Sequence, residues 1–263
     1  MSESILVTGG TGTLGRHVVP KLVEAGATVR VLARKPRGQH GTVIADLAKG
    51  PGLDEAVSGA TTVVHLASDP RAKGADLMGT RRLLGAARRA GVRHLVYISI
   101  VGVDRHPYSY YRAKREAELL IEDSGVPYTI LRTTQFHDLV LFAAQALTRL
   151  PVAPVPAGWR FQPVDAAEVG ERLAALATAA PAGRVPDMGG PEILSARDLV
   201  LAYLEATGRR RPLVSVPVPG AVSAAFRNGV NLAPAHADGR RTFREFLAAK
   251  AASGPRAAGY GAA

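Results

Sequence analysis

The sequence predicts an α/β fold, a doubly wound parallel sheet joined to a smaller C-terminal region, on three observations. Ser4-Ile5-Leu6-Val7-Thr8 is a short apolar run that breaks into Gly9-Gly10-Thr11-Gly12-Thr13-Leu14-Gly15 and then into a helical pattern at Val18, Val19, Leu22 and Val23. Further apolar, β-branched runs begin near Thr28, Thr42, Thr61, His94 and Tyr128 and alternate with helical stretches, the rhythm of successive βα units. With 263 residues, 47% of them hydrophobic, the chain is long and apolar enough to bury a large core.

The first strand, Ser4 to Thr8, ends where the glycines begin. A strand, a glycine turn and a helix in that order let backbone N–H groups approach a pyrophosphate while the helix N-terminus faces its charge. Gly9, Thr11, Gly12, Thr13, Leu14 and Gly15 are therefore candidate dinucleotide-binding residues. The spacing G-x-x-G-x-x-G is one residue longer between the first two glycines than the dehydrogenase fingerprint. As Thr8 to Gly15 stand, the chain resembles the atypical branch of the short-chain dehydrogenase/reductase superfamily, the NmrA-like and NAD(P)H:quinone-reductase-like proteins. The resemblance runs from the N-terminus to about Asp165 and implies a Rossmann-type fold with an NAD(P) cofactor.

Strand two, Thr28 to Ala33, delivers Arg34-Lys35-Pro36-Arg37. An NAD-selecting carboxylate is expected about 20 positions beyond the glycines; Arg34 stands there instead. A guanidinium grips a 2′-phosphate with paired charge-assisted hydrogen bonds, so Arg34 and Lys35 point to NADP(H), with NAD(H) possible; the alternative is a pair of solvated loop charges. Strand three, Thr42 to Ala45, ends in Asp46-Leu47, which the resemblance places beside the adenine. Strand four, Thr61 to Leu66, is apolar as a strand buried on both faces should be. Ligands lie at the carboxyl ends of parallel strands, so Leu66, Ala67 and Ser68 are expected along the cofactor. His65, inside that strand, reads as a satisfied core histidine.

A crossover helix fits Asp76 to Ala90, with Gly91 as its C-cap. Strand five, His94 to Ile100, delivers Ser99, and a helix then begins in Pro107-Tyr108-Ser109-Tyr110-Tyr111-Arg112-Ala113-Lys114 and runs to about Asp123. Tyr110 and Lys114 are four apart, on one helical face. The resemblance implies that the tyrosine is the general acid towards a carbonyl oxygen and that the lysine holds the nicotinamide ribose. Hydride addition leaves negative charge on oxygen, and a nearby ammonium makes a phenol a usable proton donor. Tyr108 and Tyr111 are open alternatives. Where related enzymes carry a serine pair after strand five, Ser99 is followed by Ile100 and Val101, so Ser99 matches the first position only. Strand six, Tyr128 to Leu131, ends in Arg132-Thr133-Thr134-Gln135-Phe136-His137 and is followed by a helix from Asp138 to Leu147. Thr133 and Phe136 are expected beside the cofactor; Gln135, Phe136 and Trp159 are expected in the substrate pocket, and His137 either there or as a polar residue at the helix entry.

The expected division is residues 1–150 as the nucleotide-binding unit, 151–250 as a substrate-side region of the same structural unit, and 251–263 as a disordered tail. Within the second part, strands are expected at Trp159 to Asp165, Gly183 to Met188 and Leu213 to Val218. Asp165-Ala166-Ala167-Glu168 has the spacing of a capping box opening a helix to about Thr178; Ser195 to Asp198 open another, and Thr242 to Lys250 is the last helix.

No cysteine is present, which excludes disulfides, thiolate metal sites and cysteine nucleophiles. The seven histidines lack H-x-x-x-H or H-E-x-x-H spacing, so no metal centre is expected. No secretion-type leader is seen, and no apolar run approaches the roughly eighteen residues that span a bilayer; a soluble cytoplasmic protein without a membrane partner is expected. The net charge of +11 and pI of about 10.4 invite polyanions, but the arginines are scattered rather than clustered with aromatics, so no specific nucleic-acid partner is expected. The function expected is reduction of a quinone or other conjugated carbonyl small molecule by NADPH. The alternatives are an NAD(P)-binding redox sensor of the NmrA type that does not turn over, or an isomerase or lyase on the same fold.

Overall fold

The computed structural model describes residues 3–35, 41–68 and 74–252. Six strands arise from the apolar runs: β1 (Ser4–Thr8), β2 (Thr28–Ala33), β3 (Thr42–Ile44), β4 (Thr62–His65), β5 (His94–Ile100) and β6 (Tyr128–Thr133). Between and after them lie α1 (Gly15–Glu24), α2 (Leu53–Val57), α3 (Ala75–Arg89), α4 (Ser109–Glu122) and α5 (His137–Leu147). The chain then forms β7 (Ala153–Pro156), β8 (Arg160–Phe161), α6 (Ala166–Ala177), β9 (Gly183–Arg184), β10 (Leu194–Ser195), α7 (Ala196–Ala206), β11 (Leu213–Val216), α8 (Ala221–Arg227) and α9 (Phe243–Ala252).

The main sheet is parallel, in the order β3-β2-β1-β4-β5-β6-β9. The chain winds outward from β1 to β3 and then crosses back to β4, so the order reverses between β1 and β4. Their carboxyl ends open a crevice there, the usual ligand position in this architecture. Alternate side chains of each strand feed two cores. Ile5, Val7, Val64, Val96, Ile98 and Leu131 pack with Val18 and Leu22 of α1 and Val169 and Leu173 of α6. Leu6, Val63, Leu95, Tyr97 and Ile130 pack on the other face with Leu83, Ala87, Ala117 and Ile121 of α3 and α4. The sheet does not stop at residue 150: β9 pairs with β6, and α6 packs against α1, so residues from both expected parts share one core. A third cluster joins α5, β7, α7 and α9 through Val140, Val155, Leu199, Tyr203, Phe243 and Phe246.

Several details depart from the sequence expectations. The helices α2 and α8 and the strand β7 have no clear periodic signal; α2 has five residues, and β7 contains Pro154 and Pro156. That strand survives because it pairs only with β11, the non-proline nitrogens of Ala153 and Ala157 donating to Pro212 and Val216. The expected capping box at α6 is half made. Asp165 accepts from the Ala167 nitrogen at 2.8 Å, but Glu168 accepts from the backbone nitrogens of Arg240 and Arg241, so it ties the C-terminal segment to α6. At α7 both halves of the Ser195/Asp198 box form. The last helix continues through Ala251 and Ala252, where a tail was expected. The rest of that tail, 253–263, lies outside the described residues, as do Pro36 and Arg37. Among the described residues no helix is long and apolar enough to cross a membrane.

Candidate functional site

The crevice is lined first by the glycine turn. Gly9 has φ +69°, and a Cβ there would sit 2.7 Å from the Ala67 nitrogen; at Gly15 it would sit 2.4 Å from the Gly10 Cα. Glycine is thus required both for the turn to approach the end of β4 and for α1 to approach the turn. The Gly12 nitrogen closes the turn on the Gly9 carbonyl at 3.0 Å. No side chain caps α1 and no acid stands in its first turn, which leaves its positive end to an anion. Leu14 buries its side chain in the core, so only its backbone can serve a ligand, whereas Thr11 is exposed and Thr13 half-buried.

Arg34 and Lys35 follow β2 directly and are exposed at the rim. The Asp46 carboxylate accepts from the nitrogens of Ala48 and Lys49 and so shapes its own loop. Leu47 packs on the core beside α3. The Ala67 nitrogen reaches Thr8 Oγ1 at 3.3 Å, holding the Leu66-Ala67-Ser68 end of β4 against β1. His65 is a core histidine, as its sequence position suggested: Nδ1 meets Thr8 Oγ1 at 2.7 Å and Nε2 meets Thr80 Oγ1 at 3.0 Å. Burial pushes its pKa down to about 3, so the ring is neutral.

Of the three candidate tyrosines, Tyr110 is the one whose hydroxyl reaches the carboxyl end of β4, 2.8 Å from Ser68 Oγ. Ser68 in turn donates to Asp76 Oδ2 at 2.6 Å. Tyr111 is buried, stacked on His106 at 4.1 Å, with its hydroxyl accepting from Gln135 Nε2 at 3.4 Å. Burial pushes its pKa up to about 12, which suits packing rather than proton transfer. Tyr108 is exposed. Lys114 is buried, donates from Nζ to the Ile98 carbonyl at 3.1 Å and lies 4.7 Å from the centre of the Tyr97 ring. Burial lowers its pKa to about 8, against the opposing pull of Asp76 and Glu118. Ser99 lies two residues beyond Tyr97 on the same side of β5, buried, with no partner for its Oγ.

An ionic cluster beneath α4 was not anticipated. Arg132, at the end of β6, holds Glu118 through two bonds of 2.8 and 2.5 Å and Asp104 through two more of 2.5 and 3.1 Å. Arg115 adds contacts to Asp104, Glu118 and Glu122. The guanidinium of Arg132 holds the Asp104 carboxyl below its ordinary range. This cluster ties α4, through Arg115, Glu118 and Glu122, to the end of β6 and to the loop that carries Asp104.

The expected pocket residues divide. Gln135 faces Tyr111 and Asn231, the latter a residue the sequence did not mark, buried and donating to the Arg160 carbonyl at 2.9 Å. Trp159 donates to Ser223 Oγ at 2.7 Å and stacks on Phe226 at 4.4 Å; Phe226 meets His106 at 4.6 Å. Gln135 and Trp159 therefore belong to one continuous wall that reaches Tyr111. Thr133 is buried at the sheet end, its carbonyl taken by the Val101 nitrogen, and Phe136 packs on the first core while bridging to Val164. His137 does not face the pocket and takes its other reading, a residue at the helix entry. It is fully buried among Phe243 and Phe246, with Nε2 3.0 Å from the Arg241 carbonyl, because it opens α5 on the side covered by α9 rather than on the crevice side.

Residues 9–144 match the NAD(P)H-binding family. Over 221 residues the chain is 35% identical to the (4-alkanoyl-5-oxo-2,5-dihydrofuran-3-yl)methyl phosphate reductase of Streptomyces griseus subsp. griseus, spanning 78% of this chain and 74% of that protein. It is 27% identical over 244 residues to an NAD(P)H azoreductase of Xenophilus azovorans, spanning 86% and 82%. Among solved structures, an NADPH-dependent quinone oxidoreductase from Escherichia coli complexed with NADPH superimposes with a TM-score of 0.80 at 20% identity, over 94% of this chain and 99% of that one, a likeness of fold.

Proposed function

This chain belongs to the NAD(P)H-binding family of atypical short-chain dehydrogenases/reductases, and we propose that it is an NADPH-dependent reductase of a conjugated carbonyl compound. The observation that carries the reading is the Tyr110 hydroxyl meeting Ser68, one residue beyond the Ala67 against which the glycine turn packs, with the buried Lys114 ammonium on the Ile98 carbonyl near the end of β5. The site fits a dinucleotide: a Cβ would fill the cradle at Gly9 and Gly15, α1 offers an uncapped positive end, and Ser99 Oγ is buried without a partner. Bound nicotinamide would supply a hydride. Lys114 orients the ribose and favours negative charge nearby, and Tyr110 gives its proton to the substrate oxygen as charge develops there. The Gln135 and Trp159 wall holds the substrate's apolar body.

The name of the Streptomyces griseus relative describes a dihydrofuranone bearing an alkanoyl group, in which the ring double bond adjoins carbonyl groups. A conjugated acceptor of that kind, or a quinone, is the substrate class proposed here. The test is NADPH absorbance during incubation with a panel of quinones and unsaturated lactones. Oxidation with at least one member is expected; intact NADPH across the panel, with tight cofactor binding, would leave the sensor reading instead.

Two further results are expected. Arg34, at the rim beyond β2, should make NADPH bind more tightly than NADH by about ten- to hundredfold, the worth of a charge-assisted phosphate contact of about 1.5–3 kcal/mol. Calorimetric titration of both cofactors measures this, and an unchanged ratio in Arg34→Ala would refute the assignment. The second concerns pH. Since burial lowers the Lys114 pKa to about 8, its ammonium is present below that value and lost above it. If the charge is needed, kcat/KM should fall as pH rises through about 8, and Lys114→Arg, which stays charged, should abolish that limb even at reduced activity. A flat profile between about pH 7 and 9 in the native enzyme would rule the role out.

A further inference from the structure

We propose that Ser68 and Asp76 form a proton relay that recharges Tyr110, an inference that rests on reading Tyr110 as the proton donor. Three segments bring the groups together: the stretch just after β4 supplies Ser68, the first turn of α3 supplies Asp76, and the first turn of α4 supplies Tyr110. Ser68 Oγ lies 2.6 Å from Asp76 Oδ2 and 2.8 Å from the Tyr110 hydroxyl, so both links are short. A carboxylate only accepts, and a serine hydroxyl has one proton; Ser68 therefore donates to Asp76 and accepts from Tyr110. This orders the three oxygens into a single chain. Asp76 is half-buried in the first turn of α3, behind Gly74, which offers no side-chain cap, and is open to water.

Lys114 makes other contacts, its Nζ donating one bond to the Ile98 carbonyl and lying over the Tyr97 ring. Tyr111 has a different environment, its hydroxyl meeting Gln135. Ser68 thus places a hydroxyl beside Tyr110 in a chain where Ser99 is followed by Ile100 and Val101.

The step balances without any oxidant or reductant. Tyr110 gives its proton to the substrate oxygen, leaving a phenolate. The Ser68 hydroxyl then turns from Asp76 to the phenolate and its O–H bond breaks as the proton passes across, while Ser68 Oγ takes a proton from the Asp76 carboxyl, which has been protonated by an acid of the solvent (hydronium or buffer) whose conjugate base stays in solution. One proton moves from solvent to Tyr110, no electrons move, and Asp76 returns to the carboxylate. Ser68 and Asp76 act through Tyr110 and are positioning residues; neither needs to touch the substrate.

The experiment compares Ser68→Ala, Asp76→Asn and Ser68→Thr with the native enzyme in steady-state kinetics in light and heavy water, alongside NADPH dissociation constants by titration. The relay predicts kcat lower by on the order of ten- to hundredfold in Ser68→Ala and Asp76→Asn, part of the range a positioned acid contributes. KM should stay close to native in both variants and NADPH affinity close to native in Asp76→Asn, and the solvent isotope effect on kcat should rise as reprotonation becomes limiting. Ser68→Thr, which keeps the hydroxyl, should recover most of the rate. The proposal is overturned if kcat in both disabling variants stays within about twofold of native, or if NADPH affinity falls in step with kcat and threonine restores neither, which would mark a structural contact. A native enzyme inactive against every acceptor overturns the reductase reading and the relay together, so the two failures are told apart by the native control.

Discussion

Replacing Arg132 by leucine is expected to destabilise the protein by about 3–5 kcal/mol, the cost of leaving one member of a buried ion pair alone. The side chain of Arg132 is 4% exposed and that of Glu118 is fully buried, with two hydrogen bonds between them. Leucine fills much of the volume, so what is lost is chiefly the partner of a carboxylate that water cannot reach. Arg115 still contacts Glu118 but is itself partly exposed, so it recovers only a fraction. In a chain of this size such a loss lowers the melting temperature by on the order of 10 °C. Pairing Arg132→Leu with Glu118→Leu should cost less than the sum of the single changes, because removing both charges leaves no orphan. Thermal and denaturant unfolding of the four proteins measures this. A single-variant loss below about 1 kcal/mol, or strict additivity in the double variant, would show that the pair is solvated and does not anchor α4.

That cluster also marks the limit of what the sequence disclosed. The glycine turn, β1, β5 and the helix opened by Ser195 were legible because each is set by neighbours within a few residues: a positive φ at Gly9, a run buried on both faces, a hydroxyl and a carboxylate three apart. His65 was legible for the same reason, lying inside an apolar strand. The choice among Tyr108, Tyr110 and Tyr111 was not, because it depends on which side of α4 meets the end of β4, and α4 is held through contacts distant in sequence such as Arg132 with Glu118. The two readings of His137 could not be told apart for the same reason. Its place after β6 suggested the crevice, but α9, more than a hundred residues later, covers that side of α5. Asn231 carried no local pattern at all; only the return of the chain after α8 brings it to Gln135. Glu168 had the spacing of a capping residue, and a distant backbone segment outcompeted the local partner.

Substituting Tyr110 by phenylalanine is expected to lower kcat by about 10²–10⁴-fold while leaving NADPH affinity near its native value, the range for loss of a positioned general acid. The change keeps the ring and deletes the hydroxyl that meets Ser68, so packing of the α4 start is retained. Lys114→Ala should behave differently: it removes a buried ammonium and its bond to the Ile98 carbonyl, so both cofactor affinity and turnover should fall. The separation of the two profiles carries the argument, since a variant that merely loosened α4 would weaken binding and catalysis together. Tyr111→Phe is the control. Its hydroxyl is held by Gln135 in a buried setting that raises its pKa to about 12, so its loss should change kcat by less than about threefold. If instead Tyr111→Phe carries the large loss and Tyr110→Phe is mild, the proton comes from the wall that joins Tyr111 to Trp159, and the hydroxyl beside Ser68 serves only to hold α4 against β4.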